Sequence, residues 1–300
     1  GISINKSIDE LSDGQKYRLL LSLAILSNSK LILIDELTSH IDSWSIPYVM
    51  NILRSYVENG NVVIIADHRV KTLRPWVDEV ISLGDYVYEH CAITIPRNPS
   101  GLCIELRDVS VKLGNRIILK NINMRLRRGE CLVIIGRNGS GKTTLLKTII
   151  GLIRPMKGSI TRPNKVFYIP QIPIYWFSCK RVIDEIVTYI SIFRRFDLEV
   201  DEVVDVFYLR HILNRNPYCI SVGEARRLGI ALAYIAKPDL LLIDEPTLGL
   251  DHRSLCLLKN LIAYLVDQGL SVVITTHDID FATDICRSCI LDDGELRCLS

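Results

Sequence analysis

Short runs of apolar residues recur along the chain and are separated by longer segments in which apolar residues follow helical spacing. The runs are rich in branched side chains and have the length of strands, at residues 31–34, 62–65, 131–135, 166–169, 240–243 and 272–275. Strands with two buried faces are continuous apolar runs, and strands that alternate with helices form parallel sheets. The pattern therefore predicts an α/β fold with a buried central sheet.

Two segments depart from this alternation. Residues 102–128 alternate between apolar and polar positions around Gly114, which predicts a small antiparallel sheet. Residues 172–220 have helical patterns and no run typical of a central strand, which predicts an inserted helical subdomain. The stretch 89–101 contains two prolines and ends in glycine, and we interpret it as a linker.

An internal repeat runs through the chain with a constant offset of 209 positions. The repeated pairs are Ser12 and Ser221, Asp35 and Asp244, Glu36 and Glu245, Asp42 and Asp251, and His68 and His277. We expect residues 1–88 to be the C-terminal part of a first domain and residues 102–300 to be a complete second domain. Because the chain starts with Gly1 rather than Met, a truncated sequence is the preferred interpretation, and a natural half-domain is the alternative.

A glycine-rich motif lies between the apolar run 131–135 and the helical pattern 144–150. Its sequence, Gly-Arg-Asn-Gly-Ser-Gly-Lys-Thr, has the spacing of a phosphate-binding loop (P-loop) between a strand and a helix. Backbone N–H groups of such a loop bind phosphate oxygens, and the helix N-terminus adds partial positive charge. Lys142 is expected to reach the β- and γ-phosphates of ATP, and Thr143 to reach Mg²⁺. The other predicted ATP-binding residues are Gly136, Asn138, Gly139, Ser140, Gly141 and Thr144.

Two acidic residues end the apolar run before them. Asp244 is expected near the P-loop, where it would bind Mg²⁺ together with Thr143 and Gln171. Glu245 would then act as the general base that polarises the attacking water. His277 follows the last of the apolar runs and would contact the γ-phosphate, so it joins Lys142, Gln171 and Glu245 as a predicted catalytic residue.

In their order, these motifs resemble those of the ATP-binding-cassette (ABC) family, and the likeness covers almost the whole chain. The motifs are the P-loop, Gln171, a signature beginning Ser221-Val-Gly-Glu224, the acidic strand, the turn 248–251 and His277. The resemblance implies an ATPase with Mg²⁺ as cofactor. It also implies a P-loop NTPase fold of ABC type, with a mixed sheet core, an antiparallel β subdomain and a helical subdomain.

Within the family, the chain is most similar to the duplicated ATPase subunit of energy-coupling-factor (ECF) importers, which take up vitamins, vitamin precursors or transition-metal ions. The runs that carry this likeness are Ala66-Asp-His-Arg, Ile169-Pro-Gln-Ile-Pro and the segment 216–224. The resemblance implies two kinds of partner on other chains, a transmembrane coupling subunit and a substrate-binding membrane subunit. It places the chain on the cytoplasmic side of the cell membrane.

The helical insert is the segment expected to contact the membrane partner. A docking groove for a coupling helix is predicted at residues 174–190, with Trp176, Phe177, Asp184 and Glu185 contributing. An ordinary amphipathic core helix with solvated acidic residues is the alternative.

The resemblance further implies that two such domains clamp ATP head to tail, with the P-loop of one domain facing the signature of the other. The first signature is therefore expected to face the ATP held by Lys142, through intrachain or homodimeric pairing, with residues Ser12, Gly14 and Gln15. The second signature, Ser221, Gly223 and Glu224, would face a first P-loop that this sequence lacks, and Asp35, Glu36 and His68 are the first-copy equivalents of the catalytic series. Three positions depart from the family pattern, namely Asp13, Val222 and Leu113, where an aromatic residue usually stacks on adenine.

Composition and charge add limits to this picture. The 36 Lys and Arg residues nearly balance the 34 Asp and Glu residues, and a net charge of +2 does not indicate nucleic acid as a partner. The apolar runs fall short of the ~20 residues that a membrane span needs, and no signal-peptide pattern is present, so a cytosolic protein is predicted. The nine cysteines are scattered and are expected to be reduced thiols.

A soluble twin-cassette ATPase that acts on ribosomes or nucleic acid is the main alternative. The linker is too short for the long arm between cassettes in translation-factor relatives. The stretch between Gln171 and Ser221 is too short for the coiled coil of chromosome-maintenance relatives. A purely regulatory ATP sensor is disfavoured because the candidate catalytic groups Glu245 and His277 are both present.

Overall fold

The computed structural model describes residues 7–11, 13–67, 69–83, 99–283 and 286–298. The chain divides into two units, Gly1–His90 and Cys91–Ser300. Most of the predicted linker 89–101 lies outside the described residues, so the domain limits 1–88 and 102–300 stay predictions.

The first unit is a two-stranded parallel sheet with helices around it. Its elements are α1 (Asp13–Leu26), β1 (Leu31–Asp35), α2 (Leu37–His40), α3 (Ile46–Glu58), β2 (Val62–Ala66) and α4 (Val70–Leu73), with 3₁₀ turns at Ile8–Glu10 and Arg74–Trp76. In β1 the side chains alternate, so Ile32 and Ile34 are buried while Leu33 is exposed. The sheet therefore contributes one face to the core of this unit.

Helix α3 covers that face because its apolar residues recur at helical spacing. The residues that it buries are Ile46, Val49, Met50, Leu53 and Tyr56. They belong to the same apolar cluster as Ile32 and Ile34 of β1. A proline in the first turn suits the helix start, where a backbone N–H has no partner within the helix.

The second unit contains a six-stranded sheet and a three-stranded sheet. Its strands are β3 (Ser100–Leu113), β4 (Arg116–Arg128), β5 (Cys131–Ile135), β6 (Lys157–Thr161), β7 (Val166–Ile169), β8 (Leu240–Asp244), β9 (Ser271–Thr276), β10 (Arg287–Asp292) and β11 (Glu295–Cys298). The larger sheet has the order β11-β10-β5-β9-β8-β7 and is parallel except for the β10–β11 pair. The smaller sheet, β4-β3-β6, is antiparallel.

The helices of this unit are α5 (Lys142–Ile150), α6 (Val182–Ile192), α7 (Val200–Val206), α8 (Val222–Ala236), α9 (His252–Asp267) and α10 (Ile279–Thr283). Three 3₁₀ turns lie at Pro173–Trp176, Arg210–Ile212 and Pro217–Cys219. Buried residues of α5 join residues of both sheets in one apolar cluster. Within the described ranges, none of the helices combines the length and the apolar character that a bilayer span requires.

The predicted fold class is confirmed. Each of the six predicted strands is present, and four of them extend by one or two residues because the backbone ladder continues beyond the apolar run. The predicted antiparallel sheet is formed by β3 and β4, to which β6 adds. The predicted helical subdomain contains α6, α7 and the three 3₁₀ turns. The helix after the P-loop begins at Lys142, two residues before the predicted start.

The expectation that the cysteines are reduced thiols is wrong for five described residues, which are disulfide-bonded, namely Cys131, Cys256, Cys286, Cys289 and Cys298. Cys131 is bonded to Cys286, and Cys289 is bonded to Cys298. The sheet brings these residues together, since β10 pairs with β5 on one side and with β11 on the other, and Cys289 lies opposite Cys298 in that register. Pairings across a sheet join residues that are far apart in sequence, and spacing along the chain does not reveal them.

Candidate nucleotide site

The P-loop connects β5 to α5 in a backbone path that requires glycine. Gly139 and Gly141 have φ angles of 82° and 105°, in the left-handed region that other residues rarely adopt. A Cβ atom on Gly136 would lie 2.5 Å from the backbone oxygen of Leu291 and 2.6 Å from Oγ of Ser140. The glycine spacing is therefore needed for both conformation and close approach.

Lys142 is the first residue of α5, and its ammonium group lies inside the curve of the loop. Its Nζ donates hydrogen bonds to the backbone oxygens of Gly136 at 2.7 Å and Arg137 at 3.0 Å. The same nitrogen is 2.9 Å from Oε1 of Glu245, and both side chains are less than a tenth exposed. The loop thus holds a buried positive charge at the end of a helix.

The donors around this charge fit a phosphate group. The hydroxyl oxygen of Ser140 is buried, and among the described residues it has no hydrogen-bond partner. A buried polar atom normally has a partner, so an unpaired one within a glycine-rich loop indicates space for a ligand. The helix N-terminus directs backbone N–H groups to the same place and favours an anion there. Thr143 and Thr144 lie partly exposed in the first turn of α5.

Asp244 is the last residue of β8, and its carboxylate has a donor on each oxygen. The hydroxyl of Thr275 donates to Oδ1 at 2.7 Å, and the hydroxyl of Tyr168 donates to Oδ2 at 3.0 Å. Thr275 lies on the neighbouring strand β9 and Tyr168 on the neighbouring strand β7. The sequence had indicated neither donor, although Thr275 ends an apolar run beside the one that ends at Asp244.

Glu245 follows Asp244 in an unusual backbone conformation and lies beside His277. Its φ angle is 45°, which is rare for a residue with a side chain. Its Oε2 accepts hydrogen bonds from the backbone nitrogen of His277 at 3.2 Å and from Nδ1 of that ring at 2.9 Å. Three residues from separate motifs, Lys142, Glu245 and His277, therefore form one buried cluster.

The charges in this cluster determine the protonation state of Glu245. Burial raises the pKa of this carboxyl, but the hydrogen bond from His277 and the electrostatic contributions of His277 and Lys142 outweigh burial. The pKa of Glu245 consequently lies below its ordinary value, and the group is a carboxylate at neutral pH. A general base must be in this state before it accepts a proton.

Gln171 lies two residues after the end of β7, the strand next to β8, and is half-buried. Within the described part of the chain, its amide makes no hydrogen bond to Asp244 or Glu245. Leu113 ends β3 and is 43% exposed, so an apolar surface is present where the family usually has an aromatic ring. Asn138 lies at the exposed tip of the P-loop.

The second signature forms the start of α8. Ser221 is the N-cap, its hydroxyl accepting from the backbone of Glu224 at 3.3 Å and its own backbone nitrogen donating to that carboxylate at 2.7 Å. His211 is 2.8 Å from the other carboxylate oxygen of Glu224. Burial alone would raise the pKa of Glu224. Its hydrogen bonds with Ser221 and His211 lower the pKa by more than burial raises it, so the pKa lies below its ordinary value. Ser221 and Glu224 thus have a capping role independent of any ligand, and Gly223 lies between them in the first turn.

A buried arginine that the sequence analysis missed connects α8 to the loop after Glu245. Arg226 is 4% exposed and donates to the backbone oxygens of Pro246 and Leu248. Burial lowers its pKa to about 10, which leaves the guanidinium charged at neutral pH. Arg226 lies one turn into α8, a helix with a wide apolar face, and the sequence pattern there does not indicate a contact with the loop after Glu245.

In the first unit, Asp35 ends β1 and Glu36 follows it. Glu36 has a φ angle of 52°, close to the value of its repeat equivalent Glu245, and accepts a hydrogen bond from the hydroxyl of Ser39 at 2.7 Å. The repeat therefore extends to backbone conformation. Gly14 and Gln15 lie in the first turn of α1, while Ser12 and His68 lie outside the described residues. The pairing of the first signature with ATP stays a prediction.

The two acidic residues of the predicted docking groove differ in exposure, and the groove itself stays a prediction. Asp184 is exposed enough to meet a partner, although it already pairs with Arg181 at 2.7 Å. Glu185 is fully buried, and its Oε1 accepts from the backbone nitrogens of Ser178 and Cys179. The interpretation of Glu185 as a docking residue is therefore wrong, because α6 turns this side chain inward, where it fixes the preceding loop.

The two aromatic residues of the predicted docking groove also differ in exposure. Phe177 is buried at 3% exposure, whereas Trp176 is 40% exposed. Further large apolar side chains are exposed on the helical subdomain, namely Tyr175, Val187, Ile192 and Phe196. Exposed large apolar side chains are thus more numerous on the helical subdomain than elsewhere in the second unit.

Comparison with known proteins identifies a matching family and several relatives. Residues 119–248 match the family described as "ABC transporter". A relative from Treponema denticola, named "Putative ABC transporter ATP-binding protein", is 28% identical and aligns over 97% of this chain and 68% of its own length. A relative from Bacillus subtilis, named "Putative HMP/thiamine import ATP-binding protein YkoD", is 24% identical over 95% of this chain and 64% of its own length.

Solved structures give the same result for the fold. The dimeric post-hydrolysis state of the ATP-binding cassette MJ0796 with ADP and Pi matches with a TM-score of 0.56 and 26% identity, over 64% of this chain and 96% of that chain. A chain in the complex of an archaeal ribosomal stalk protein and the ribosome recycling factor aABCE1 matches with a TM-score of 0.71, over 99% of this chain and 65% of that chain. At 19% identity, the second likeness concerns the fold alone.

Proposed function

We propose that this chain, whose ABC-type ATPase domain hydrolyses ATP, is the subunit that energises an ECF-type importer. The observation that carries the proposal is the buried cluster of Lys142, Glu245 and His277 beside a loop with the form of a phosphate site. The solute would be a vitamin, a vitamin precursor or a transition-metal ion. Its identity would be decided by the substrate-binding subunit on another chain.

The cluster assigns a separate task to each residue. Lys142 presents its charge to the β- and γ-phosphates, while the backbone of residues 136–141 supplies neutral donors. Glu245 is the carboxylate that takes a proton from the attacking water, and His277 fixes its orientation through two hydrogen bonds. Thr143, Gln171 and Asp244 would hold Mg²⁺, which offsets negative charge on the phosphates when it is bound.

The ion pair between Lys142 and Glu245 gives the site a resting arrangement. A triphosphate in the loop carries more negative charge than one carboxylate, so Lys142 gains a stronger partner when ATP binds. One oxygen of Glu245 is then released for the attacking water, while the other keeps its hydrogen bonds with His277. Substrate binding would thus prepare the general base.

Three findings support a transporter rather than another ABC function. The relatives that align over almost the whole chain carry transporter names, and one of them is named as an HMP/thiamine import protein. Within the second unit, exposed large apolar side chains are most numerous on the helical subdomain, where the family resemblance predicts a coupling helix. The runs around Ala66, Ile169 and Asn216 resemble those of ECF ATPase subunits. The chain would act at the cytoplasmic side of the membrane, bound to its partners.

The alternative is a soluble twin cassette that works on ribosomes. The likeness to the chain solved with an archaeal stalk protein covers nearly the whole chain, but at its low identity it supports a common fold only. Purification distinguishes the two. Membrane extracts that contain the full-length protein should yield a polytopic subunit with it, and a ribosome pellet that retains the protein would favour the alternative.

Surface variants test the docking site. Tyr175→Asp and Val187→Asp each place a charge on the exposed apolar surface of the helical subdomain. We expect both variants to keep basal ATP hydrolysis and to lose stimulation by the membrane subunits in reconstituted vesicles. Leu152→Asp is the matched control, since Leu152 is a comparably exposed apolar residue outside the helical subdomain. Normal stimulation of the first two variants would exclude this docking surface.

A further inference from the structure

One hydrogen bond joins the candidate Mg²⁺ ligand to an aromatic cluster in the helical subdomain. Tyr168 is 7% exposed and lies on β7, the edge strand of the six-stranded sheet. Its hydroxyl donates to Oδ2 of Asp244 at 3.0 Å. The predicted catalytic residues do not include Tyr168, and its position within an apolar run had marked it only as part of the core.

The ring of Tyr168 contacts Trp176 at the surface. Their centroids are 5.9 Å apart at an interplanar angle of 70°, an edge-to-face contact. Trp176 also meets Phe167 of β7 in the same geometry at 5.7 Å. Phe167 contacts Tyr189 of α6 at 6.4 Å. The cluster therefore ties the strand beside Asp244 to the elements that carry the exposed apolar surface.

We propose that Tyr168 is a positioning residue for Asp244 and that it transmits the state of this carboxylate to Trp176. The inference rests on the proposed role of Asp244 as a Mg²⁺ ligand. Thr275 and Tyr168 together hold both oxygens of Asp244, so a change at either oxygen must alter one of these two hydrogen bonds. Only the bond from Tyr168 leads to an exposed ring.

The chemistry of the phenol supports the direction of this hydrogen bond. The phenol hydroxyl has a proton to donate, and the carboxylate oxygen Oδ2 of Asp244 accepts it in a hydrogen bond of 3.0 Å. The loss of a group that orients a metal ligand typically lowers metal affinity by about 10- to 100-fold. Removal of the hydroxyl should therefore weaken the response to Mg²⁺ without affecting the phosphate contacts of the P-loop.

The fluorescence of Trp176 provides the test, in the full chain with Trp44→Phe and Trp76→Phe so that Trp176 is the remaining tryptophan. ATP is bound first without Mg²⁺, and MgCl₂ is then titrated while emission is followed. Tyr168→Phe retains the ring and loses only the hydroxyl. We expect it to raise the half-saturating Mg²⁺ concentration by about tenfold or more and to abolish the Mg²⁺-dependent change in emission.

Tyr189→Phe is the matched control, because it removes a hydroxyl from the same aromatic cluster without touching Asp244. Tyr189→Phe should behave as the parent protein. Calorimetry without Mg²⁺ should give the same ATP affinity for the parent, Tyr168→Phe and Tyr189→Phe. Asp244→Asn should abolish the same emission change, and the double variant with Tyr168→Phe should lose nothing further.

Each outcome bears on a different claim. A Tyr168→Phe protein that matches Tyr189→Phe in Mg²⁺ response would overturn the positioning role, as would an Asp244→Asn protein that retains the emission change. A parent protein that does not bind ATP would instead overturn the proposed function, and this inference with it. Loss of ATP affinity in Tyr168→Phe alone would mean that the hydroxyl supports the fold of the site, which also contradicts the proposal.

Discussion

The substitution Glu245→Gln tests the proposed general base with the least change in shape. An amide keeps a hydrogen-bond acceptor but has no negative charge, so it cannot take a proton from water. The loss of a general base lowers turnover by about 10²- to 10⁴-fold, which corresponds to about 3–5 kcal/mol in the activation barrier. Phosphate release at saturating Mg-ATP should fall by at least ~100-fold.

The same substitution affects stability, and the structure separates the two effects. Breaking a buried ion pair by removal of one partner costs about 3–5 kcal/mol. Here this is an upper bound, because Lys142 keeps two backbone acceptors, Gly136 and Arg137. ATP affinity should stay equal or increase, since Lys142 no longer has to leave a carboxylate partner. Thermal unfolding and calorimetric ATP titration measure these quantities independently of turnover.

Glu105→Gln is the control for a merely structural effect. Glu105 is a buried carboxylate of the same unit, and it pairs with Arg107 at 2.8 Å and Arg125 at 2.7 Å. Its replacement should lower the melting temperature and leave turnover per folded molecule unchanged. If Glu245→Gln hydrolyses ATP at the parent rate, or if Glu105→Gln loses turnover to the same degree, Glu245 is not the general base.

Four further outcomes are expected. Lys142→Ala should abolish Mg-ATP binding in calorimetry, because a buried charge and a phosphate donor are lost together, and unchanged affinity would remove the P-loop assignment. Arg226→Met should destabilise the protein by roughly 1–3 kcal/mol for each backbone carbonyl it leaves unpaired, as measured by denaturant unfolding, with a smaller loss for the half-buried Arg227→Met. Asp184→Lys should keep the fold and lower stimulation by the membrane partner, whereas Glu185→Lys should unfold the helical subdomain; equal melting temperatures for the two would contradict the buried position of Glu185. Because the folded-state pKa of Glu245 is depressed, its stabilisation is present above its ordinary pKa of 4.5 and is lost as pH falls through the lower folded value. The difference in melting temperature between the parent and Glu245→Gln should therefore be complete at pH 7 and disappear once the pH falls below the folded-state pKa of Glu245, and a difference that grows on acidification would contradict the assigned shift.

Features encoded locally in the sequence were predictable. The strands β5, β8 and β9 are continuous apolar runs because they are buried on both faces, whereas β1 is such a run with only one face buried. The P-loop has its glycines where the backbone needs a positive φ or a close approach. The positions of Asp244 and Glu245 followed from the strand that precedes them. Their equivalence to Asp35 and Glu36 followed from the constant offset of the repeat, and the similar φ angles of Glu245 and Glu36 agree with it.

Features that depend on contacts between distant residues were not predictable in this way. Tyr168 and Thr275 meet Asp244 only because β7, β8 and β9 are neighbours, and an apolar run gives no sign that one of its hydroxyls donates to a carboxylate. Glu185 had the appearance of a solvated acid in a helical pattern, but the direction of its side chain depends on how α6 packs. The disulfides likewise depend on strand order.

The central claim is that this ATPase works with membrane subunits, and isolation of the full-length protein from membranes of its native cells tests it most directly. The measurement is the set of proteins that co-purify with an affinity-tagged copy in mild detergent, together with their stoichiometry. We predict that a polytopic membrane subunit co-purifies in stoichiometric amount with the parent protein and does not co-purify with Tyr175→Asp. Ribosomal subunits in place of a membrane protein, in both the parent and the variant, would contradict the account.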